Sequence, residues 1–136
     1  MKIAVTVWED RISPVFDASR RLLVATIENS RIVERSYVIF DPGLPANLAK
    51  ILLRLEVPVL ICGAVSQVPA TILTAAGVTL VPFIAGQVEP VLAAYAQGMS
   101  LAPTFIMPGC HDGPSATRKP AKPRPPGKRL NDRRIP

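Results

Sequence analysis

Cysteine and histidine are scarce in this chain of 136 residues, which holds Cys62, Cys110 and a lone histidine, His111. Two thiols are too few for a disulfide scaffold, so a sizeable apolar core has to carry the fold. Two cysteines and one imidazole cannot complete a closed four-ligand metal site within one chain. No secretory signal is visible: the N-terminus enters a short alternating run and reaches Glu9, Asp10 and Arg11 before a long apolar stretch can form. The cell interior, a cytoplasmic setting with reduced thiols, is therefore the expected compartment. Ser-His-Asp, zinc-site and phosphate-loop signatures are missing too. The first predicted strand carries no acidic residue, which speaks against two-metal carboxylate chemistry and for a protein that is not an enzyme.

Against these absences stand 49% hydrophobic residues, 15 prolines and a net charge of +6. The charge is unevenly spread. Residues 1–110 hold eight basic side chains and eight acidic ones, whereas residues 111–136 hold eight Lys/Arg against Asp112 and Asp132. The basic character belongs to the end of the chain and the body is neutral. Between Glu56 and Glu89 lies an uncharged stretch long enough to cross a bilayer. Pro58, Gly63, Ser66, Pro69, Gly77, Pro82 and Gly86 break it every few residues. It reads instead as the buried centre of an α/β sheet, whose strands are covered on both faces.

The periodicities support that reading. Lys2–Val7 alternates as a strand, and Trp8 to Ser19 is a loop around Pro14. Arg21–Glu28 and Ile32–Phe40 are β-rich runs joined by a turn at Asn29-Ser30-Arg31. Leu48, Ile51, Leu52 and Leu55 form the stripe of an amphipathic helix beginning near Pro45. Val57–Ile61 is a central strand, and a helix N-capped by Ser66 runs through Ala76 and closes at Gly77. Val78–Ile84 is a further strand. Val88, Val91, Leu92 and Tyr95 mark a third helix, closed by Gly98. The order β-β-β-α-β-α-β-α predicts an α/β domain with a mixed five-stranded sheet. Residues 99–110 read as an extended terminal segment. Residues 111–136 read as a disordered basic, proline-rich tail on a domain of residues 1–110.

Three separated stretches carry a resemblance: Ile12-Ser13-Pro14-Val15-Phe16-Asp17, Leu60-Ile61-Cys62-Gly63-Ala64-Val65-Ser66, and Phe105-Ile106-Met107-Pro108-Gly109-Cys110. Their order and spacing resemble the dinitrogenase iron–molybdenum cofactor biosynthesis family, the group of NifX, NafY and the C-terminal domain of NifB. That resemblance covers roughly residues 1–110. It implies a ribonuclease-H-like three-layer fold. It also implies an accessory role in nitrogen fixation: binding or carrying an iron–sulfur or molybdenum-containing cluster, with cofactor-assembly or acceptor proteins as partners.

Cys62 ends a central strand ahead of a helix N-terminus, where α/β sheets bind ligands. It reads either as a thiolate ligand for a soft metal or as a buried structural thiol. Gly63 beside it permits close backbone approach or a positive φ. Met107, Cys110 and His111 place three soft or borderline metal donors within five residues; the alternative is a packed Met107 and a free terminal thiol. Ser13 and Arg20 stand near Arg11, Asp17 and Arg21, where arginines could pair with an anionic cluster or simply with local carboxylates. The tail could attract nucleic acid or an acidic protein by its charge, without aromatics on which bases could stack. An interaction module that docks through its tail is thus the rival function. Two chains forming a homodimer would offer four thiolates to one cluster.

Overall fold

The computed structural model describes residues 1–102 and 104–108; the expected tail, with Cys110 and His111, lies outside the described residues. In chain order the strands are β1 (Lys2–Trp8), β2 (Arg11–Ile12), β3 (Arg21–Glu28), β4 (Arg31–Ile39), β5 (Val59–Ile61) and β6 (Thr79–Val81). Helix α1 (Pro45–Arg54) precedes β5, α2 (Gln67–Ala75) lies between β5 and β6, and α3 (Val88–Ala96) follows. The sheet runs β4-β3-β1-β5-β6, with β2 attached to β1. Its β4-β3-β1 half is antiparallel, and β1, β5 and β6 are parallel.

The sequence predicts five strands, and the described residues form six. The sixth arises inside the predicted loop: Glu9, with φ of 56°, turns the chain so that Arg11 and Ile12 lie back on Trp8 and Val7. Two residues carry no readable alternation, so such a strand has no periodic signature. Strands β5 and β6 are shorter than predicted, because Pro58 and Pro82 flank them and lack the N–H that a ladder needs. The uncharged stretch divides into β5, α2 and β6, and no helix among the described residues is long and apolar enough to cross a membrane.

Central strand β1 explains the layering. Ile3, Val5 and Val7 enter one apolar cluster with Val88, Val91 and Leu92 of α3. Ala4 enters another with Leu48 and Leu52 of α1 and Leu73 of α2. Helices therefore cover both faces, and β1 is buried from Ile3 to Val7. Leu48 and Leu52, at 1% and 0% exposure, each contribute roughly 1.5–3 kcal/mol by leaving water. The β3–β4 hairpin turns on Asn29 and Ser30, with φ of 53° and 62°, the left-handed pair of a type I′ turn.

Helices α1, α2 and α3 end alike. In α2, Gly77 N donates to Thr74 O and Val78 N to Leu73 O; in α3, Gly98 N donates to Tyr95 O and Met99 N to Ala94 O. These are Schellman closures, and both glycines have positive φ, 98° and 76°. Helix α1 closes by the same pair, Glu56 N to Leu53 O and Val57 N to Leu52 O, but with Glu56 at φ of 60°. A side chain there bears a steric penalty that glycine avoids. Glu56→Gly is expected to raise stability by about 0.5–1 kcal/mol, measured as a higher denaturant midpoint with an unchanged slope.

Candidate functional site

Parallel strands β1, β5 and β6 share a carboxyl end, and the N-termini of α2 and α3 begin at that same end. Four segments distant in sequence are joined there by backbone hydrogen bonds. Ala64 N donates to Pro14 O at 2.9 Å, and Phe16 N donates back to Ala64 O at 2.7 Å. Phe83 N donates to Gly63 O at 2.9 Å, and Met107 N to Phe83 O at 2.8 Å. Ala85 N donates to Phe105 O at 2.7 Å. The loop after β1, the turns after β5 and β6 and the segment around Met107 thus form one platform.

Gly63 lies at its centre. A Cβ at this position would fall closer than 3.0 Å to the carbonyl oxygens of both Ser13 and Pro14, so the residue is glycine because backbone crosses directly over it. Of the two reasons open in the sequence, close approach holds; Gly63 is absent from the residues with positive φ. Ser13 is 5% exposed and braces this crossing. Its N–H donates to Thr6 O at 2.9 Å and its hydroxyl to Val15 O at 3.3 Å. Ser19 donates to the same carbonyl at 3.0 Å.

The Cys62 side chain points below the platform, into the apolar cluster under α1 and α2, and is 0% exposed. Burial, with the Asp17 carboxylate adding to it, pushes its thiol up to about 12. A protonated thiol enclosed in hydrocarbon is a packing group, and ligation by its sulfur would require this layer to open. Ser66 occupies the N-cap position of α2, but it makes no side-chain cap to the helix. Its hydroxyl donates instead to Asp17 Oδ1 at 3.2 Å, fastening the first loop to the start of α2.

Met107 reaches the platform through its backbone, whereas Cys110 and His111 lie outside the described residues. Arg20 is turned toward Asp41, 4.0 Å away, with both side chains largely in solvent. Arg21 stacks on the Tyr37 ring at 4.5 Å, and Arg11 bridges to Gln87 through its backbone. Among the described residues no three His, Cys, Asp or Glu side chains group to hold a metal. Sequence reasoning missed the contribution of Phe83, which sits at φ of 63° and links Gly63 to Met107. Backbone groups leave no side-chain signal of their own.

Gly63→Ala is expected to cost roughly 1–3 kcal/mol or more through overpacking, read by chemical denaturation, and to expose Cys62 to thiol reagents. In the native protein Cys62 should resist labelling at pH values up to about 9, its ordinary ionisation point. The folded thiol keeps its proton above that pH while the unfolded one loses it. The Cys62 contribution to stability should therefore fall as pH rises from about 9 toward 12. Denaturation curves of wild type and Cys62→Ala across that window measure this component.

A sequence profile described as "Dinitrogenase iron-molybdenum cofactor" matches residues 1–98. No match is found among curated proteins. Among solved structures, PH0822 superposes with a TM-score of 0.64 at 18% identity, covering 73% of this chain and 93% of its own. MJ0327 of Methanocaldococcus jannaschii, whose name associates it with a dinitrogenase, gives 0.59 at 17% identity, over 72% and 89%. TM1290 of Thermotoga, named for NifB, gives 0.56 at 22% identity, over 71% and 88%. At these identities the likeness to solved structures is one of fold, and the family assignment rests on the profile. The chain belongs to the dinitrogenase iron–molybdenum cofactor family.

Proposed function

We propose that this chain is a non-catalytic accessory protein that carries an iron–sulfur or molybdenum-containing metal–sulfur cluster during nitrogenase-type cofactor assembly, and that it hands the cluster to assembly or acceptor proteins. The observation that carries this reading is the platform itself. The described parts of the three sequence motifs behind the family resemblance, the third as far as Met107, meet at the carboxyl end of the parallel strands, the usual ligand-binding end of an α/β sheet. The sheet order β4-β3-β1-β5-β6, with one antiparallel and one parallel half, supports the ribonuclease-H-like reading of the fold. Binding without turnover fits a first strand that carries no carboxylate.

The donors follow from side-chain chemistry and from the family resemblance. Met107 is tied to Phe83; Cys110 and His111, outside the described residues, are proposed as ligands on the nature of their side chains alone. Thiolate, thioether and imidazole suit soft and borderline metals. Cys62 and Gly63 support the site from beneath: the glycine lets the loops close together, and the thiol fills the core. Ser13 holds the first loop, and Arg20 offers charge at the same end of the sheet once it leaves Asp41. The domain is taken to end at Cys110, with residues 111–136 an appended basic tail, and the protein to work in the cytoplasm.

Anaerobic purification with iron, molybdenum and sulfide analysis and a visible spectrum tests the proposal. The full chain should take up a cluster and show thiolate-to-metal absorption. Cys110→Ala should lose most of the bound iron and Met107→Ala part of it, whereas Cys62→Ala should retain colour at reduced stability. A colourless chain that also fails reconstitution would leave the interaction module as the better description.

A further inference from the structure

Among the described residues Phe83 is the one aromatic with a positive φ, 63°, and for a side chain of that bulk the left-handed region is an outlier. Elsewhere the chain meets the same backbone need differently. Gly77, Gly86 and Gly98 are glycine, Asn29 and Ser30 form a tight turn, and Glu9 and Glu56 are unbranched and exposed. Two backbone bonds hold Phe83 in place: its N–H donates to Gly63 O at 2.9 Å, and its carbonyl accepts from Met107 N at 2.8 Å. Glycine would make both bonds without the steric penalty, so the backbone role does not account for the ring. Core packing does not account for it either. Its neighbours Val81, Ile84, Phe105 and Ile106 belong to the apolar layer under α3, and Val65 and Leu80 to the layer under α1 and α2. Phe83 is partly buried and belongs to neither layer, and the same holds for Met107. Strain that the surrounding structure holds in place without a packing reason marks a position kept for function.

We infer that the Phe83 ring is the apolar wall of the ligand site on the platform: it packs against the carried metal–sulfur cluster and keeps water from it. This role presupposes the cluster-carrying function proposed for the chain. The apolar shell around a metal site sets solvent access and local dielectric, and with them the lifetime and potential of what is bound. The bond between Phe83 and Met107 sets a soft thioether donor beside the ring. Trp8 at the end of β1 and Val15 in the loop bridged to Ala64, 57% and 43% exposed, extend the apolar surface at this end of the sheet. Such a lining suits a large, polarisable ligand with sulfide faces better than a small hydrated ion. A glycine at position 83 would relax the backbone and leave an opening to solvent in its place.

The test uses the full chain and its Phe83→Tyr, Phe83→Ala and Phe83→Gly variants, each loaded anaerobically with ferrous iron and sulfide. Two rates are read: iron release to a chelator, and bleaching of the visible spectrum in air. Both should rise at least about tenfold in Phe83→Ala and Phe83→Gly alike, while Phe83→Tyr, which keeps a ring, stays close to the parent. The alanine and glycine variants separate the site from the fold. Both lack the ring, but glycine relieves the strain, so the cluster-free glycine variant should have the higher denaturant midpoint of the two. Release that follows those midpoints, with glycine holding iron better than alanine, overturns the role of the ring and leaves cluster carriage standing. Ring-less variants that release iron at the parent rate do the same, as does a glycine variant no more stable than the alanine one. A parent chain that takes up no iron overturns both the role of Phe83 and the function it serves.

Discussion

The crossing of the Ser13–Pro14 backbone over Gly63 is the contact on which the rest of this molecule depends. It lets the chain leave β1, fold back as β2 and return against the end of β5 without a gap, at a separation that no side chain would permit. With Gly63 in place, Ala64 exchanges hydrogen bonds with the first loop on one side, and Gly63 accepts from Phe83 on the other. The neighbouring elements take their positions from this point: α2 starts at Ser66, fastened by Asp17, and the segment around Met107 continues the line beyond Phe83. A single absent methyl group thus sets the spacing of the whole carboxyl end of the sheet.

Beneath that crossing, electrostatics and packing divide the labour. The Asp17 carboxylate lies close enough to Cys62 to reinforce the effect of burial, and both act to keep the thiol neutral. A neutral thiol can be enclosed by α1 and α2 without the large cost of burying a charge. Charged groups remain at the surface, where Arg20 with Asp41 and Arg35 with Glu89 make exposed pairs of small energetic weight. Apolar burial on both faces of β1 provides the stability, and the polar contacts at the sheet end provide the shape.

Much of this was legible in the amino-acid pattern. The alternation of Lys2–Val7, the stripe Leu48-Ile51-Leu52-Leu55 and the closing glycines Gly77 and Gly98 each correspond to an element or its end, because burial and positive φ impose strong residue preferences. The strand Arg11–Ile12 was not legible, being too short for any period. Ser66 was placed at the right position, yet its hydroxyl bonds to Asp17, a partner 49 residues away that local rules do not reach. Cys62 shows the same limit. Its place at a strand end could be read from sequence, but which way its sulfur points follows from the register of β5 beside β1. Phe83 entered the platform through its backbone, and backbone roles are almost invisible in a list of side chains.

The platform also has a kinetic character. Its hydrogen bonds join Pro14 to Ala64, Gly63 to Phe83, and Phe83 to Met107, spans that no local hairpin or single helix could close. Such contacts form only after the entropy of long loops has been overcome. The sheet end thus rests on contacts between segments far apart in sequence, which no short fragment of the chain holds together.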